Sequence, residues 1–176
     1  MRNVVITGFM ATGKSTIGRA VAAALGMTFL DMDDIIEARA GMPISEMFAR
    51  HGEQHFRDVE SALAAELAGR QDLVIATGGG TMMRAENRAA LGASGLVVCL
   101  TCTAEEVLRR VGDDATRPML AAPDRLERIR ELLAIRTPVY QTLPVLVDTT
   151  GRSVEDITAA VLKEYREREC KPSASH

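Results

Sequence analysis

Short runs of apolar, largely β-branched residues alternate along the chain with longer segments in which apolar residues recur every three or four positions. The short runs predict strands, and several are apolar almost throughout, as strands covered on both faces of a sheet are. The longer segments predict amphipathic helices. This alternation is typical of an α/β fold with a parallel sheet. The predicted strands are Asn3–Thr7, Thr28–Asp31, Leu73–Thr77, Leu96–Thr101 and Val145–Asp148.

The same pattern locates two helical segments and three helix starts. Apolar residues recur on one face of Lys14–Leu25, between the first two predicted strands. A second segment, Ile44–Leu67, has helix-compatible apolar spacing and is expected to break near Gly52. Three further helices are predicted from their N-termini, where a capping side chain stands three residues before a carboxylate. The pairs are Thr103 with Glu106, Asp124 with Glu127 and Ser153 with Asp156.

The length of the chain, 176 residues, and its hydrophobic content of 47% suit one domain that buries a substantial core. We expect this single domain to span residues 1–170. The composition of residues 171–176 predicts a disordered tail. The polar stretch 112–123, between two predicted helices, is long enough to predict a functional loop.

Charge and composition restrict the classes of partner. The chain has 21 lysines and arginines against 24 aspartates and glutamates, a formal net charge of −3, so it has no broad basic field for nucleic acid. Aromatic residues make up 3% of the chain and tryptophan is absent, which disfavours base stacking. No apolar run approaches the roughly 20 residues of a membrane span, and no separable leader precedes the first predicted strand. We therefore expect a cytoplasmic protein with no nucleic-acid or membrane partner, whose three cysteines are reduced. We also expect a monomer, although the sequence does not determine the oligomeric state.

The segment Gly8–Ser15 carries the most specific chemical signal in the chain. Its sequence, GFMATGKS, matches the phosphate-binding pattern G-x-x-x-x-G-K-[ST]. It lies between a predicted strand and a predicted helix, where backbone N–H groups can surround a phosphate at the helix N-terminus. Lys14 would contact the outer phosphates, and the Ser15 hydroxyl would bind Mg²⁺. A glycine-rich turn with a chance lysine is the alternative, and the flanking elements favour the phosphate loop.

Three aspartates follow the second predicted strand, at the end where open α/β sheets bind ligands. An extended chain would direct Asp31 and Asp33 to the same side, because side chains alternate along a strand. One of them could contact the water shell of a metal ion, while the other orients or deprotonates an acceptor hydroxyl. We expect Asp34 to cap a helix that begins near Ile35.

Glycines and arginines extend this candidate site. Gly78–Gly80 follow the third predicted strand. They allow close backbone approach to a small ligand or to another loop, and the alternative is a tight strand-to-helix turn. Arg57, Arg117 and Arg136 could together bind a substrate carboxylate and stabilise a phosphoryl group in transfer. Their spacing in the sequence does not show whether they converge.

Taken in order, these motifs make the chain resemble the shikimate kinase family. The resemblance runs from about Val4 to Arg152, nearly the whole chain. No single segment after the phosphate loop is specific for this family, but the whole set, in this order, is. The matching segments are Gly8–Ser15, Phe29–Asp33, Gly52–Glu53, Phe56–Arg57, Gly78–Gly80, Arg117–Leu120 and Arg136–Tyr140.

The resemblance implies a reaction and a fold. The reaction is the ATP-dependent phosphorylation of the 3-hydroxyl of shikimate, with Mg²⁺, in the shikimate pathway to chorismate and aromatic amino acids. The fold is the three-layer P-loop NTPase type, with helices on both faces of a five-stranded parallel sheet in the order 2-3-1-4-5. A substrate-binding helical region at about residues 33–60 and a mobile lid at about 112–123 are implied as well.

The resemblance also assigns site residues. For the substrate they are Asp33 at the ring hydroxyls, Arg57 and Arg136 at the carboxylate, the Gly79 backbone nearby, and Phe48 and Phe56 as walls of the ring site. For ATP they are the loop residues Ala11, Thr12, Gly13, Lys14, Ser15 and Thr16, the lid residue Arg117, and Arg110 and Arg152 beside the adenine. We predict that Lys14, Asp33 and Arg117 are catalytic. We predict that Ser15 binds the metal and that Asp31 lies in its outer shell.

Two segments depart from the family pattern. Ala11 stands where these kinases often have another glycine, which predicts a slightly less adaptable phosphate loop. Gln141–Pro144 stand where the family usually has a glutamate and an alanine. Neither departure replaces an expected catalytic group.

Three other functions fit parts of the sequence. A kinase similar to gluconate kinase would also phosphorylate a hydroxylated carboxylate, and a P-loop protein could bind nucleotide without catalysis. A zinc deaminase is suggested by His51–Glu53, which fits H-x-E, and by Cys99 and Cys102, which fit C-x-x-C. However, Val98 replaces the expected proline, and strand alternation would direct the two cysteines to opposite faces.

Overall fold

Five parallel strands form the sheet in the part of the chain that this computed structural model describes, residues 2–112 and 124–169. The strands are β1 (Asn3–Gly8), β2 (Thr28–Asp31), β3 (Leu73–Ala76), β4 (Gly95–Thr101) and β5 (Val145–Asp148). Their order is β2-β3-β1-β4-β5, which confirms the order implied by the resemblance. In the centre, Val4 of β1 pairs with Val74 on one side and with Leu96 on the other.

Helices cover both faces of the sheet. They are α1 (Lys14–Leu25), α2 (Met32–Ala40), α3 (Ile44–Ala68), α4 (Ala85–Ser94), α5 (Ala104–Val111), α6 (Arg125–Tyr140) and α7 (Val154–Glu169), with a short 3₁₀ turn at Thr81–Met83. Val4 and Ile6 pack with α1 and α7, whereas Val5 packs with α3 and α4 on the other face. This alternation within one buried strand produces the three layers.

The sequence pattern located these elements closely. Each predicted strand agrees with the observed one to within a residue at either end. The expected break at Gly52 is a kink, where φ is 81° and ψ is 169° inside α3. All three predicted helix caps are confirmed, as the backbone N–H groups of Glu106, Glu127 and Asp156 donate to their capping side chains.

The start of α2 differs from the prediction. The helix begins at Met32 and not near Ile35, and its cap is Asp31, whose carboxylate accepts a hydrogen bond from Asp33 N. Asp34 is exposed, and its carboxylate lies 3.9 Å from an Arg19 guanidinium nitrogen. The predicted cap at Asp34 was wrong because the helical turn starts directly after β2, which makes the last residue of the strand, Asp31, the cap.

Parts of the predicted organisation lie outside the described residues. These parts are the lid beyond Gly112, including Arg117, and the tail at residues 171–176. Within residues 2–112 and 124–169, no helix combines the length and the apolar character that crossing a bilayer requires.

Candidate active site

The phosphate loop connects β1, at the centre of the sheet, to the N-terminus of α1. Gly13 precedes the helix in a left-handed conformation, with φ of 92°, and no side chain caps the helix. The N–H groups of the first turn are therefore not taken by a capping side chain, which is the arrangement that binds phosphate at helix N-termini.

The Phe9 carbonyl organises the loop from within. It accepts a hydrogen bond from Lys14 Nζ over 2.9 Å and another from Thr12 Oγ1 over 2.8 Å. Thr12 is buried, so its side chain stabilises the loop from inside. Lys14, by contrast, borders the cavity that the loop surrounds.

Ala11 adopts a left-handed conformation, with φ of 58°. Residues other than glycine rarely adopt this conformation, because their β-carbon approaches the backbone too closely. Its carbonyl accepts a hydrogen bond from Arg110 Nη1 over 3.2 Å, which ties this strained turn to α5. The conformation gives a physical reason why related loops often have glycine here.

We expect Ala11→Gly to stabilise the protein by about 0.5–1 kcal/mol, because the relief of left-handed strain exceeds the entropy that glycine adds to the unfolded chain. Urea unfolding monitored by circular dichroism measures the change. Ala62→Gly, on the exposed side of α3, is the control and should destabilise by about 1 kcal/mol. A loss of stability with Ala11→Gly similar to that of the control would contradict the strain.

Arg110 and Arg152 lie together on the flank of the phosphate loop. Arg110 donates from Nη1 to the Thr149 hydroxyl over 3.0 Å and from Nη2 to the Thr149 carbonyl over 2.7 Å. The Arg152 guanidinium donates to the carbonyls of Asp148 and Asp156, each over 3.1 Å. Both arginines thus donate to the backbone between the end of β5 and the start of α7.

A hydroxyl and a carboxylate meet at the edge of the phosphate cavity. Ser15 Oγ donates to Asp31 Oδ2 over 2.5 Å, and the other oxygen of Asp31 caps α2. Both side chains border the cavity together with Lys14. Hydroxyl and carboxylate oxygens are the hard ligands that Mg²⁺ prefers, so this donor set fits the predicted magnesium ion.

Asp33 extends into the same cavity from the first turn of α2. Burial, followed by the negative charges of Asp31, Glu60 and Glu37, raises its pKa from the usual 3.8 to about 6, against the opposing effect of Lys14. The carboxylate is therefore ionised at neutral pH and close to the range in which it can exchange a proton. These are the properties of a group that accepts a hydrogen bond from a reacting hydroxyl.

Glu60 borders the candidate site and was not identified by the sequence analysis. Its carboxylate is buried, with a side chain 1% exposed, and lies 2.9 Å from Arg57 Nη1. Its other oxygen accepts a hydrogen bond from the Thr81 hydroxyl over 2.6 Å. Burial alone would lower the pKa of Arg57, but Glu60 and Glu53 raise it above its usual value. The available signal was a glutamate three residues after Arg57, on the apolar side of α3.

The Gly78–Gly80 segment brings these charged groups together. A β-carbon at Gly78 would lie 2.6 Å from Glu60 Oε1 and 2.9 Å from Asp33 Oδ1. A β-carbon at Gly80 would lie 2.6 Å from Arg57 Nη1. Side chains thus approach this backbone so closely that a β-carbon would not fit. The segment also turns tightly, since Thr81 N donates to the Gly78 carbonyl over 3.3 Å, so both a close approach and a tight turn are present.

Arg136 reaches the glycine segment from α6 on the other side. The residue is buried, and its Nη1 donates to the Gly79 carbonyl over 3.2 Å. Its guanidinium carbon lies 5.2 Å from the centroid of the Phe9 ring, within the range of a cation–π interaction. Arg136 is therefore adjacent to both the glycine segment and the phosphate loop.

Two cavities adjoin at this edge of the sheet. The first, of about 270 Å³, is bordered by the phosphate loop and by Asp31 and Asp33. The second, of about 140 Å³, is bordered by Arg57 and Arg136 and by the Phe48 and Phe56 rings, whose centroids are 4.8 Å apart. The cavities share three wall residues, which are Met10, Asp33 and Gly79. The fold thus joins the cavity at the phosphate loop to a small cavity with aromatic and charged walls.

Cys99 and Cys102, the cysteines among the described residues, do not form a comparable centre. Cys99 is buried in β4, and burial raises the pKa of its thiol to about 12, while Cys102 is half-buried beyond the end of the strand. Within residues 2–112 and 124–169, no three His, Cys, Asp or Glu side chains are grouped so that they could hold a metal ion.

Comparisons with known proteins give consistent matches over most of the chain. The model of the shikimate kinase family matches residues 10–166. A shikimate kinase from Geobacter metallireducens is 44% identical over 161 residues, which cover 92% of this chain and 90% of that protein. The crystal structure of shikimate kinase from Acinetobacter baumannii in complex with shikimate has a TM-score of 0.92 and 35% identity, and covers 97% of this chain and 96% of that one. A gluconokinase from Sinorhizobium meliloti has a TM-score of 0.62 and 18% identity over 96% of this chain and 95% of that one, a similarity of fold alone.

Proposed function

The chain belongs to the shikimate kinase family, and we propose that it transfers the γ-phosphate of ATP to the 3-hydroxyl of shikimate, giving shikimate 3-phosphate and ADP. The observation that carries this function is the pair of adjoining cavities that share Asp33 and Gly79. One has the phosphate loop in its wall, and the other has two arginines suited to a carboxylate. A donor and an acceptor bound in them would meet at Asp33.

An ADP-release assay with Mg-ATP tests this function when shikimate and gluconate are supplied in parallel. We expect turnover with shikimate and little with gluconate, because the relatives at 44% and 35% identity are shikimate kinases. Turnover with gluconate alone would favour the gluconate kinase alternative. Nucleotide binding without turnover of either acceptor would favour the non-catalytic alternative.

On the acceptor side, we propose that Arg57 and Arg136 bind the carboxylate of shikimate. Guanidinium groups suit this role because they donate two parallel hydrogen bonds to a carboxylate. Phe48 and Phe56 would pack against the ring, and Asp33 and the Gly79 backbone would contact its hydroxyls. The buried Glu60 supports the arrangement, because it orients Arg57 from behind.

Arg136→Lys retains the charge and removes the bidentate geometry. We expect KM for shikimate to rise about 10-fold to 100-fold, with KM for ATP within about twofold of the wild-type value. The ADP-release assay measures both constants. Arg39→Lys is the matched control, since Arg39 forms an exposed bidentate pair with Glu66 on the surface, and it should leave both constants unchanged. An unchanged KM for shikimate in Arg136→Lys would contradict the carboxylate contact.

On the nucleotide side, we propose that the phosphates lie against the loop backbone from Ala11 to Thr16. Lys14 would exchange its hydrogen bond to the Phe9 carbonyl for phosphate oxygens. Arg110 and Arg152 would border the adenine, and Arg117, from the predicted lid, would contact the phosphates. Closure of that lid would exclude water and limit the hydrolysis of ATP.

We propose that the protein uses Mg²⁺, with the Ser15 hydroxyl as a ligand and Asp31 in the outer shell. The ion would neutralise charge on the β- and γ-phosphates. The hydrogen bond between Ser15 and Asp31 supports this proposal, because it brings the two oxygen donors together at the edge of the phosphate cavity.

Asp33 is the group that acts on the acceptor. Its carboxylate would accept a hydrogen bond from the 3-hydroxyl, and so orient the oxygen toward the γ-phosphate or take its proton. Lys14 and Arg117 would stabilise the charge on the phosphoryl group during transfer.

We also propose that the protein acts as a cytoplasmic monomer, with ATP and shikimate as its partners and no nucleic-acid or membrane partner. The net charge of −3 supports the absence of a nucleic-acid partner, since it gives no field that attracts polyanions.

A further inference from the structure

The Gly79 carbonyl accepts two hydrogen bonds from side chains of α6. Arg136 Nη1 donates over 3.2 Å, and the Tyr140 hydroxyl donates over 2.7 Å. Because the two residues are about one helical turn apart, their side chains project from the same face of α6. One face of α6 therefore holds this carbonyl through two side chains. Arg136 is a proposed substrate ligand, whereas Tyr140 has no role in the proposed function.

The Tyr140 ring is part of the protein core. The residue is 3% exposed and belongs to the apolar cluster that includes Phe9, Cys99 and Ile129. Burial raises the pKa of the Tyr140 hydroxyl to about 12, so the hydroxyl stays protonated and able to donate throughout the neutral range. A hydroxyl in such surroundings retains its hydrogen bond, because breaking the bond would leave a polar group unpaired in the core.

Gly79 lies between the phosphate loop and Arg136. A β-carbon at Gly79 would lie 3.0 Å from Arg136 Nη1, 3.7 Å from the Gly8 carbonyl oxygen and 3.9 Å from Met10 N. The peptide that follows is trans and planar, so its N–H, on Gly80, points away from its carbonyl oxygen. Fixing the Gly79 carbonyl therefore also fixes the direction of the Gly80 N–H, in a segment that borders the substrate cavity.

We propose that Tyr140 is a positioning residue for the acceptor substrate. Its hydroxyl anchors the Gly79–Gly80 peptide and, through the shared carbonyl, the Arg136 guanidinium. Among the described residues, Tyr140 is not part of the wall of the substrate cavity, so it acts through Gly79 and Arg136. The inference rests on the proposed function, in which Arg136 binds the carboxylate of shikimate.

Tyr140→Phe tests the role because it removes the hydroxyl and keeps the ring. We expect KM for shikimate to rise about fivefold to tenfold, since the freed peptide and guanidinium must then be ordered when the substrate binds. KM for ATP should stay within about twofold and kcat within about threefold of the wild-type values. The ADP-release assay gives all three constants when each substrate is varied at a saturating concentration of the other.

Tyr165→Phe is the matched control. Tyr165 is the other of the two tyrosines in the chain, is 5% exposed, and donates through its hydroxyl to the Arg2 carbonyl over 3.2 Å. That bond lies before the start of β1, at the opposite edge of the sheet from the candidate site. We expect the control to lower the melting temperature about as much as Tyr140→Phe, and to leave KM for both substrates unchanged.

A rise in KM for shikimate that is confined to Tyr140→Phe supports the positioning role. An unchanged KM for shikimate in Tyr140→Phe, an equal rise for both substrates, or an equal rise in both variants would overturn it. Failure of the wild-type protein to turn over shikimate would instead defeat the proposed function, so the two failures are distinguishable.

Discussion

Asp33→Asn is expected to lower kcat by a factor of about 10² to 10⁴, with the Kd for ATP within about twofold of the wild-type value. The amide keeps the size of the side chain and its place on the first turn of α2. It cannot take a proton, and it accepts a hydrogen bond less strongly than a carboxylate does. Single-turnover measurements with shikimate, together with calorimetric titration of ATP, separate the two effects.

The same substitution should stabilise the protein. Because burial and neighbouring carboxylates raise the pKa of Asp33 from 3.8 to about 6, the folded protein holds this proton more tightly than the unfolded chain does. The free energy of unfolding therefore falls as the pH rises from 3.8 to about 6. At pH 7 the protein bears the whole destabilisation caused by the ionised Asp33 carboxylate. Asparagine carries no charge, so we expect a gain of about 3 kcal/mol in the free energy of unfolding at pH 7.

Asp34→Asn is the matched control, because Asp34 is the next residue and its side chain is 72% exposed. It should change neither kcat nor stability. The pKa of Asp33 also predicts that the wild-type kcat/KM falls as the pH drops through about 6, and that the residual activity of Asp33→Asn lacks this decline. Near-normal turnover in Asp33→Asn, or an equal loss in Asp34→Asn, would remove Asp33 from the mechanism.

The pattern of apolar positions was sufficient to predict the layers and not the order of the strands. Val4, Val5 and Ile6 are all apolar because both faces of β1 are covered, and this property predicts a buried parallel strand. Burial on both faces does not show which strands are neighbours. The order β2-β3-β1-β4-β5 came instead from the resemblance, which rested on the ordered set of motifs.

The residues that the sequence analysis missed owe their roles to tertiary contacts. In the sequence, Glu60 looks like any other helical glutamate; its role depends on the contacts of its two oxygens with Thr81 and Arg57. The sequence identifies Tyr140 only as a core tyrosine, because its hydroxyl bonds to Gly79, which is 61 positions away in the chain. The cap of α2 was assigned to the wrong aspartate because it depends on where the helical turn begins, and helix boundaries are the least predictable feature of a helix.

Lys14→Met is expected to lower kcat/KM for ATP by a factor of at least about 10³, since it removes the cation that the phosphate loop holds beside the cavity. A second effect follows from the neighbouring carboxylate. Lys14 lowers the pKa of Asp33 against the effects of burial and of the other carboxylates. Without the lysine, the acid limb of the residual activity should move to a higher pH, and a pH profile under single-turnover conditions measures the shift.

Lys163→Met is the matched control for this loss. Lys163 lies on α7, its side chain is 73% exposed, and its ammonium is 3.9 Å from Glu167 Oε1. The same change of charge there should leave both the rate and the pH profile unchanged, because an exposed pair of this kind contributes little. If Lys14→Met lowered the rate but kept the wild-type acid limb, the lysine would act on ATP alone, and its electrostatic coupling to Asp33 would be wrong. If neither variant lowered the rate, the phosphate loop would not be the site of ATP.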